Sequence, residues 1–546
     1  MKKIFSFCKH YLAMYKWCLF FYVFLSLLGS GASLVSPYIM GDFIDQLINA
    51  DGLGFIYRYF ALFASISLAT LLLGYISSRL YVKLQTQMGY ALNRDFIKRL
   101  QHAPLNFTRQ QDTAYLNQRI NNDSNAVIIF CIGVIQSVLA NAIIIVATLV
   151  LLFAFHPALA GALLGIATAY FTFYALYKRV LYKASHAYQE SQSKFFAKLN
   201  EQLFNVRFIK LHSLFGHFIG RLNNSFDSLL KNALNHQRTG YIFSGLDTLV
   251  TIVAQMVLLL LGGREIIAGR LTVGRFIIIS SYFNMMLGAI RYFFSLGQTI
   301  QSNMVSYNRL QELATVAHEP NGTDLIEEVC DIELRGLSFA YDENGEKPLL
   351  KDININFARG NIYVVLGPNG AGKSTLADII MGLQVGNYIG QVLYNGVSID
   401  SLDMYTLRNN QIAVSEQEPI LLADTLAYNL NLDRYGHIHV RQSRVEKLLK
   451  ILGLEAYIST LPNGFETIIN ENAANISGGE KQKISILRAL IKDSDVLVLD
   501  EPTSALDTTS KISLRGYLNE LKKDKIIFII THDKEFIGSE DVIVTI

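Results

Sequence analysis

Charge is scarce in this chain of 546 residues: 17% of it is Asp, Glu, Lys or Arg against 51% hydrophobic, with a mean hydropathy of +0.28. That balance excludes an ordinary soluble enzyme and asks for a membrane portion. Blocks of lysine and arginine are absent too, and a net charge of +3 is too mild for a nucleic-acid partner. Cysteine is limited to Cys8, Cys18, Cys131 and Cys330 without C-x-x-C spacing, so neither a zinc site nor a disulfide framework is expected and the thiols read as inert packing groups. The apolar run that follows Lys2, Lys3, Lys9 and Lys16 lacks a small-residue cleavage site and is too long for a signal-peptide core, so it reads as a retained membrane span.

What is present is a series of long uncharged runs. Trp17 to Gly41 exceeds the roughly 20 residues a helix needs to cross a bilayer, and Phe60 to Ser78 is adequate. Ser124 to Tyr177 holds no acid, lysine or arginine and is broken only at His156-Pro157, where a helix should end, so it reads as a hairpin of two spans. Tyr241 to Gly263, and Phe276 into the 290s, complete six spans, which puts both termini on one side. Lysine and arginine crowd the stretches from Arg79 to Arg119 and from Lys178 to Arg238, which marks both as cytoplasmic; Arg264, Arg270 and Arg275 dissent on the outside. Those cytoplasmic stretches are amphipathic, so the helices should continue below the membrane and turn at connectors near Pro104 to Tyr115 and Val206 to His217, each placed to touch a cytoplasmic partner domain.

Composition changes after Leu313. His318 to Asp324 is a polar, turn-rich linker, and beyond Cys330 short strand-like runs (Asp331 to Tyr341, Ile362 to Leu366, Val496 to Leu499, Ile526 to Thr531) alternate with helical ones, the pattern of a mostly parallel sheet flanked by helices. Gly367 to Thr375, Gly-Pro-Asn-Gly-Ala-Gly-Lys-Ser-Thr, fits G-x-x-x-x-G-K-[ST] between a strand and a helix. Glycine lets backbone N–H groups close around phosphate oxygens, Lys373 reaches the outer phosphates and the Ser374 hydroxyl can ligate magnesium. Downstream, Val496 to Leu499 runs into Asp500 and Glu501, one carboxylate suited to magnesium and the other to orienting the attacking water.

With Ile476-Ser477-Gly478-Gly479-Glu480 opening a helix, residues 330–546 resemble the nucleotide-binding domain of an ABC transporter, and the six-span half resembles that of ABC exporters. The resemblance implies a multidomain membrane protein: an all-α six-helix domain over 1–315, a linker over 316–329 and an α/β P-loop ATPase over 330–546. It implies ATP and Mg2+, with ATP held by Tyr341, Gly367, Asn369, Gly370, Ala371, Gly372, Lys373, Ser374 and Thr375. It further implies that Ser477, Gly478 and Gly479 act on ATP held by a second copy of the chain, with Asp507 linking the two sites. Ser374, Gln417 and Asp500 are the expected metal ligands, and Glu501, His532 and Gln417 the expected catalytic groups. Three departures stand out: Ile476 and Glu480 replace commoner residues, Asn470 to Asn475 lacks glycine, and the chain stops soon after His532.

For cargo, Asp247 and Arg291 fall inside spans at similar depth and should pair with each other or with a polar substrate. Gln136, Asn141 and the aromatics Tyr282, Phe283, Tyr292, Phe293 and Phe294 are expected to line an amphipathic cavity, which suits a small peptide or natural product. The expected activity is ATP-driven export of such a molecule across the inner membrane by a homodimer, with lipid or drug flipping as the alternative and an ATP-gated channel or sensor as a third reading.

Overall fold

The computed structural model describes residues 1–48, 54–111, 116–117, 119–341, 348–432, 442–470, 473 and 475–546, less the side chains of residues 110, 173, 178, 247, 298, 442 and 443. Two compact units divide the chain: residues 1–99 with 112–316, and residues 100–111 with 317–546.

The first unit is helical. An amphipathic helix α1 (Lys2–Met14) buries Ile4, Cys8 and Tyr11 and leads into α2 (Lys16–Ile48), the first span, which continues through Pro37. The second span belongs to α3 (Gly54–Gln101), and α4 (Leu105–Gln110) follows it as a short turn of helix. The third and fourth are α5 (Ser124–Phe155) and α6 (Pro157–Phe204), with α7 (Val206–Leu211) as the next short connector. The last two are α8 (Phe215–Ile267) and α9 (Val273–Ala314). Among the described residues, six helices are long and apolar enough to cross a membrane.

Local chemistry explains the breaks. Pro157 sits at the start of α6, where a missing N–H costs nothing, and the His156 ring nitrogen accepts from Leu159 N at 3.3 Å. Thr272 caps α9 by accepting from Arg275 N at 3.2 Å. Asp45 near the end of α2 accepts from Thr272 Oγ1 at 2.5 Å and from Gly274 N at 2.6 Å, and any side chain at Gly41 or Gly274 would collide with the facing helix. The outer segment with excess arginine carries its own counterion: Glu265 takes both Nε and Nη2 of Arg270, at 2.6 and 2.9 Å. Cys8 and Cys131, far apart in sequence, are buried against one another.

Among its described residues the second unit holds, in chain order, helices α10 (Lys373–Ile380), α11 (Met404–Asn410), α12 (Leu426–Asn431), α13 (Gln442–Leu452), α14 (Glu455–Thr460), α15 (Gly478–Ile491) and α16 (Thr508–Leu521), together with two sheets. One is parallel, with strand order β6 (Ile412–Ser415), β7 (Val496–Asp500), β8 (Ile526–Ile530), β3 (Ile362–Leu366), β9 (Val542–Thr545). The other is antiparallel and was not anticipated: β2 (Leu350–Ala358), β1 (Asp331–Phe339), β4 (Ile389–Tyr394), β5 (Val397–Ser398). Strand side chains alternate between two cores. Val364, Leu497, Leu499, Ile527 and Ile529 join helices α13 (Gln442–Leu452), α15 (Gly478–Ile491) and α16 (Thr508–Leu521) on one face. Tyr363, Val365, Val498, Phe528 and Ile530 join α10 (Lys373–Ile380) and the antiparallel sheet on the other. Burial on both faces is why these strands read as unbroken apolar runs.

Residues 100–111, which sequence order would place with the membrane half, cluster with this unit because α4 is tied to it. Arg109 Nη2 lies 3.1 Å from Asp378 Oδ2, and Gln384 Nε2 donates to Asn106 Oδ1 at 3.0 Å. The expected linker is also held down: Thr323 N and Asp324 N both donate to Ser401 O at 2.9 Å.

Candidate functional site

Parallel strands send their C-terminal ends to one edge, and the order β6-β7-β8-β3 brings four loops together there. Gln417 follows β6, Asp500 ends β7 with Glu501 next, His532 follows β8, and Gly367 to Gly372 follows β3. The sequence separates these groups by up to 165 positions, from Gly367 to His532, yet the sheet makes them neighbours.

The loop is shaped by its glycines. Gly370 and Gly372 adopt φ of +82° and +99°, a region that costs other residues energy, and Gly372 is the N-cap of α10. Lys373 Nζ folds over the loop, donating to Gly367 O at 2.9 Å and Pro368 O at 3.2 Å, and stands 3.1 Å from His532 Nε2. Ser374 Oγ donates to Asp500 Oδ2 at 3.3 Å. Tyr341 OH lies 3.0 Å from Thr375 Oγ1, with its ring largely exposed beside the loop. Asn369 and Ala371 complete the turn, where Ala371 N donates to Pro368 O at 3.2 Å.

The carboxylates are set apart by their surroundings. Burial raises the Asp500 carboxyl above the usual range, the Ser374 hydroxyl opposes this, and the negative charge of Glu501 adds to it. Glu501 has φ of +48°, strain of about 1–3 kcal/mol for a residue with a side chain. Its backbone is fixed: its N–H donates to Ile530 O at 2.8 Å and its carbonyl accepts from Gln482 Nε2 at 2.5 Å. Ser504 Oγ in turn donates to Gln482 Oε1 at 2.5 Å. His532 Nε2 is 3.7 Å from Glu501 Oε1. Sequence reasoning missed Gln482 and Ser504 because neither is within a recognisable motif for contacting that strand end.

Gln417 lies exposed just beyond β6, whose Ser415 is in register with Leu499 of β7. Ser477 is elsewhere in its bonding: its hydroxyl accepts from Glu480 N at 3.3 Å and Glu480 Oε2 accepts from Ser477 N at 3.0 Å, a reciprocal cap that opens α15 at Gly478 and Gly479. Glu480, one of the sequence departures, thus does structural service. Asp507 caps α16, and the Ser510 hydroxyl holds its carboxyl below the ordinary range. Among the described residues, neither Ser477 nor Asp507 bonds to the phosphate loop.

In the membrane unit Arg291 Nη2 donates to Thr251 Oγ1 at 2.9 Å, one helical turn from Asp247, whose side chain lies outside the described residues. Asn141 Nδ2 is turned to its own helix, donating to Ser137 O at 2.8 Å. Three of the expected cavity aromatics pack instead. Tyr282 and Phe283 are buried in the core of spans three to six, Tyr282 OH donating to Leu34 O at 2.9 Å, and Phe294 stacks on Tyr174 at 3.9 Å. Of the connectors, Pro104 to Gln111 is described above and Val206 to Leu211 forms α7, whereas residues 112–115 and half of the glycine-poor 470–475 segment (471, 472 and 474) lie outside the described residues.

Comparison with known proteins agrees with this layout. A family described as "ABC transporter transmembrane region" matches residues 19–290, and one described as "ABC transporter" matches residues 350–504. The chain is 28% identical to an ATP-dependent lipid A-core flippase of Haemophilus influenzae over 83% of its own length and 77% of the relative's. It is 24% identical to ABC transporter B family member 1 of Dictyostelium discoideum over 94% of its length, of which it spans 56%. A solved bacterial Atm1-family ABC exporter with ATP bound superposes with a TM-score of 0.81 at 19% identity, covering 98% of this chain and 94% of that one. A six-span helical half joined to a sheet-built ATP-hydrolysing half, with matching families over each, means that the chain belongs to the ABC transporters as an exporter-type half-transporter.

Proposed function

We propose that two copies of this chain form a homodimeric pump that moves an amphipathic lipid across the bacterial inner membrane, with both termini and residues 330–546 in the cytoplasm. The convergence of Lys373, Ser374, Asp500, Glu501 and His532 at one sheet edge carries the ATP-driven part of this reading. The names of the relatives, lipid A-core flippases, favour lipid over the peptide cargo expected from sequence.

ATP would lie over the loop, its adenine on the Tyr341 ring and its outer phosphates against the amides of Gly370 to Ser374. Lys373 would exchange the carbonyls of Gly367 and Pro368 for phosphate oxygens. The cation site fits its ligands: a desolvated Asp500 carboxyl beside Glu501, within hydrogen-bond distance of Ser374, is a place short of positive charge. Bound there by Ser374 and Asp500, with Gln417 reaching in, Mg2+ would neutralise phosphate charge. Glu501 would orient the attacking water and His532 would hold the terminal phosphate. Ser477, Gly478 and Gly479 would complete the site of the partner, and Asp507 would join the two sites. Asp247 and Arg291 remain proposed cargo contacts.

The test is lipid translocation in sealed proteoliposomes holding the full-length protein. Wild type should move a fluorescent lipid between leaflets with ATP, and Glu501→Gln should abolish both ATP turnover and movement. ATP-independent movement that survives in Glu501→Gln would replace the pump by a passive pore.

A further inference from the structure

A cavity of about 550 Å³ lies between spans one, two and three, within the range of small-molecule sites. Its walls come from α2, α3 and α5, and no lining residue is charged. On α2, Tyr22, Ser26, Gly29, Ser30 and Ser33 recur at helical spacing, and on α3 Thr70, Gly74, Ser77 and Tyr81 do the same, so two polar faces meet. The cavity rises about 16 Å along α2 from Tyr22 to Ser33.

Close helix packing explains part of this surface and leaves the rest unexplained. Ser26 and Ser77 bond across the helices at 2.6 Å at the back of the cavity. By contrast, a side chain at Gly29 or Gly74 would meet nothing within 4 Å, unlike one at Gly41 or Gly274. These two glycines keep space open. Ser30, Ser33 and Thr70 donate to carbonyls of their own helices at 3.0, 2.6 and 2.8 Å, which leaves hydroxyl lone pairs as acceptors along the walls. Gln136 on α5 accepts from Ser137 at 3.0 Å, so its NH2 is the donor of that wall. In hydrocarbon such groups cost free energy until a ligand satisfies them.

We propose that this cavity binds the neutral, hydroxyl-rich glycosyl headgroup of a lipid, an assignment that rests on the lipid-transport reading and names the part of the lipid recognised. Hydroxyls both give and accept hydrogen bonds, matching a wall of acceptors with an amide donor. Tyr81, partly exposed beside the buried Tyr22 ring 5.7 Å away, offers an apolar face for the C–H side of a sugar. A phosphate has no counter-charge here and would be buried unpaired. The acyl chains would stay in the bilayer against the exposed Leu71, Leu72 and Tyr75 of span two.

Trp17, the one tryptophan in the chain, is exposed and lies little more than a helical turn below Tyr22, a natural reporter. Full-length protein in phosphatidylcholine nanodiscs, without ATP, is titrated with monoglucosyl diacylglycerol brominated on its acyl chains, and Trp17 quenching is followed. Saturable quenching is expected, displaced by unbrominated glucolipid and weakened at least tenfold in Gly29→Leu and Gly74→Leu; Thr70→Val, which keeps shape and removes one acceptor, should weaken it less. Elution as folded protein in size exclusion qualifies each variant, and Gly29→Ala serves where the larger side chain disrupts folding. Equal quenching in filled variants, equal affinity for brominated phosphatidylglycerol, or displacement by free glucose at the same concentrations as glucolipid would each overturn the assignment. Failed translocation with intact glucolipid binding would count against the pump alone.

Discussion

In the proposed mechanism the chemistry turns on Glu501, whose backbone is held in a left-handed conformation by Gln482, a side chain nineteen positions earlier and itself buried. Gln482 is there a positioning residue, acting through its bond to the Glu501 carbonyl. Replacing it with Leu removes two hydrogen bonds, to the Glu501 carbonyl and from Ser504 Oγ, and leaves that carbonyl only the longer bonds from Ser504 Oγ and N at 3.3 and 3.4 Å. Steady-state ATPase assays should show kcat lower by about tenfold, ~1.4 kcal/mol, with KM for ATP nearly unchanged, and Gln482→Glu should recover little because it cannot donate. A KM change with constant kcat would instead make Gln482 a binding residue. At this scale the motifs Gly367 to Thr375, Asp500-Glu501 and Ser477 to Gly479 were legible because their chemistry is written in adjacent residues. The Gln482 and Ser504 contacts were not, because only the juxtaposition of a helix and a strand end creates them.

Among the elements, α4 touches the helix that leaves the phosphate loop, and the contact is a partly exposed Arg109 against a largely buried Asp378. Burial raises the Asp378 carboxyl despite Arg109, which pulls the other way. A raised carboxyl in the fold means stability that declines as pH rises above the ordinary aspartate range, and losing Arg109 steepens the decline. Thermal unfolding of Arg109→Ala should therefore show a small Tm deficit at pH 5 and a larger one at pH 7.5, and Asp378→Asn in the same chain should remove the difference. An equal deficit at both pH values would mean the arginine acts through its stem alone. The spans were readable from uncharged runs and the hairpin from His156-Pro157, whereas the antiparallel sheet escaped because β1, β2 and β4 carry polar residues on one side and a bulged register. The serine cavity escaped for a similar reason: hydroxyls within apolar runs do not interrupt a span, and only the pairing of two helix faces reveals them.

For the molecule as a whole, each chain holds a phosphate loop and a Ser477 cap, and in the proposed dimer the catalytic unit should be shared between copies. Lys373→Ala and Ser477→Ala should each be inactive alone. Mixed before reconstitution, half of the dimers are hybrids with one intact site, and up to about a quarter of wild-type ATPase should return if sites act independently. No recovery on mixing, with hybrids confirmed by affinity tags, would place both halves of the site in one chain. The bond from Asp45 to Thr272 and Gly274, with glycine against glycine beside it, has a further mechanical meaning. It rivets span one to span six at their outer ends, so the two must swing as a single beam. Span two is fastened to the same beam, Tyr59 donating to Asp42 near those ends and Ser26 bonding Ser77 within the serine cavity. In the proposed pump, a headgroup held in the serine cavity would therefore travel with spans one, two and six as one body.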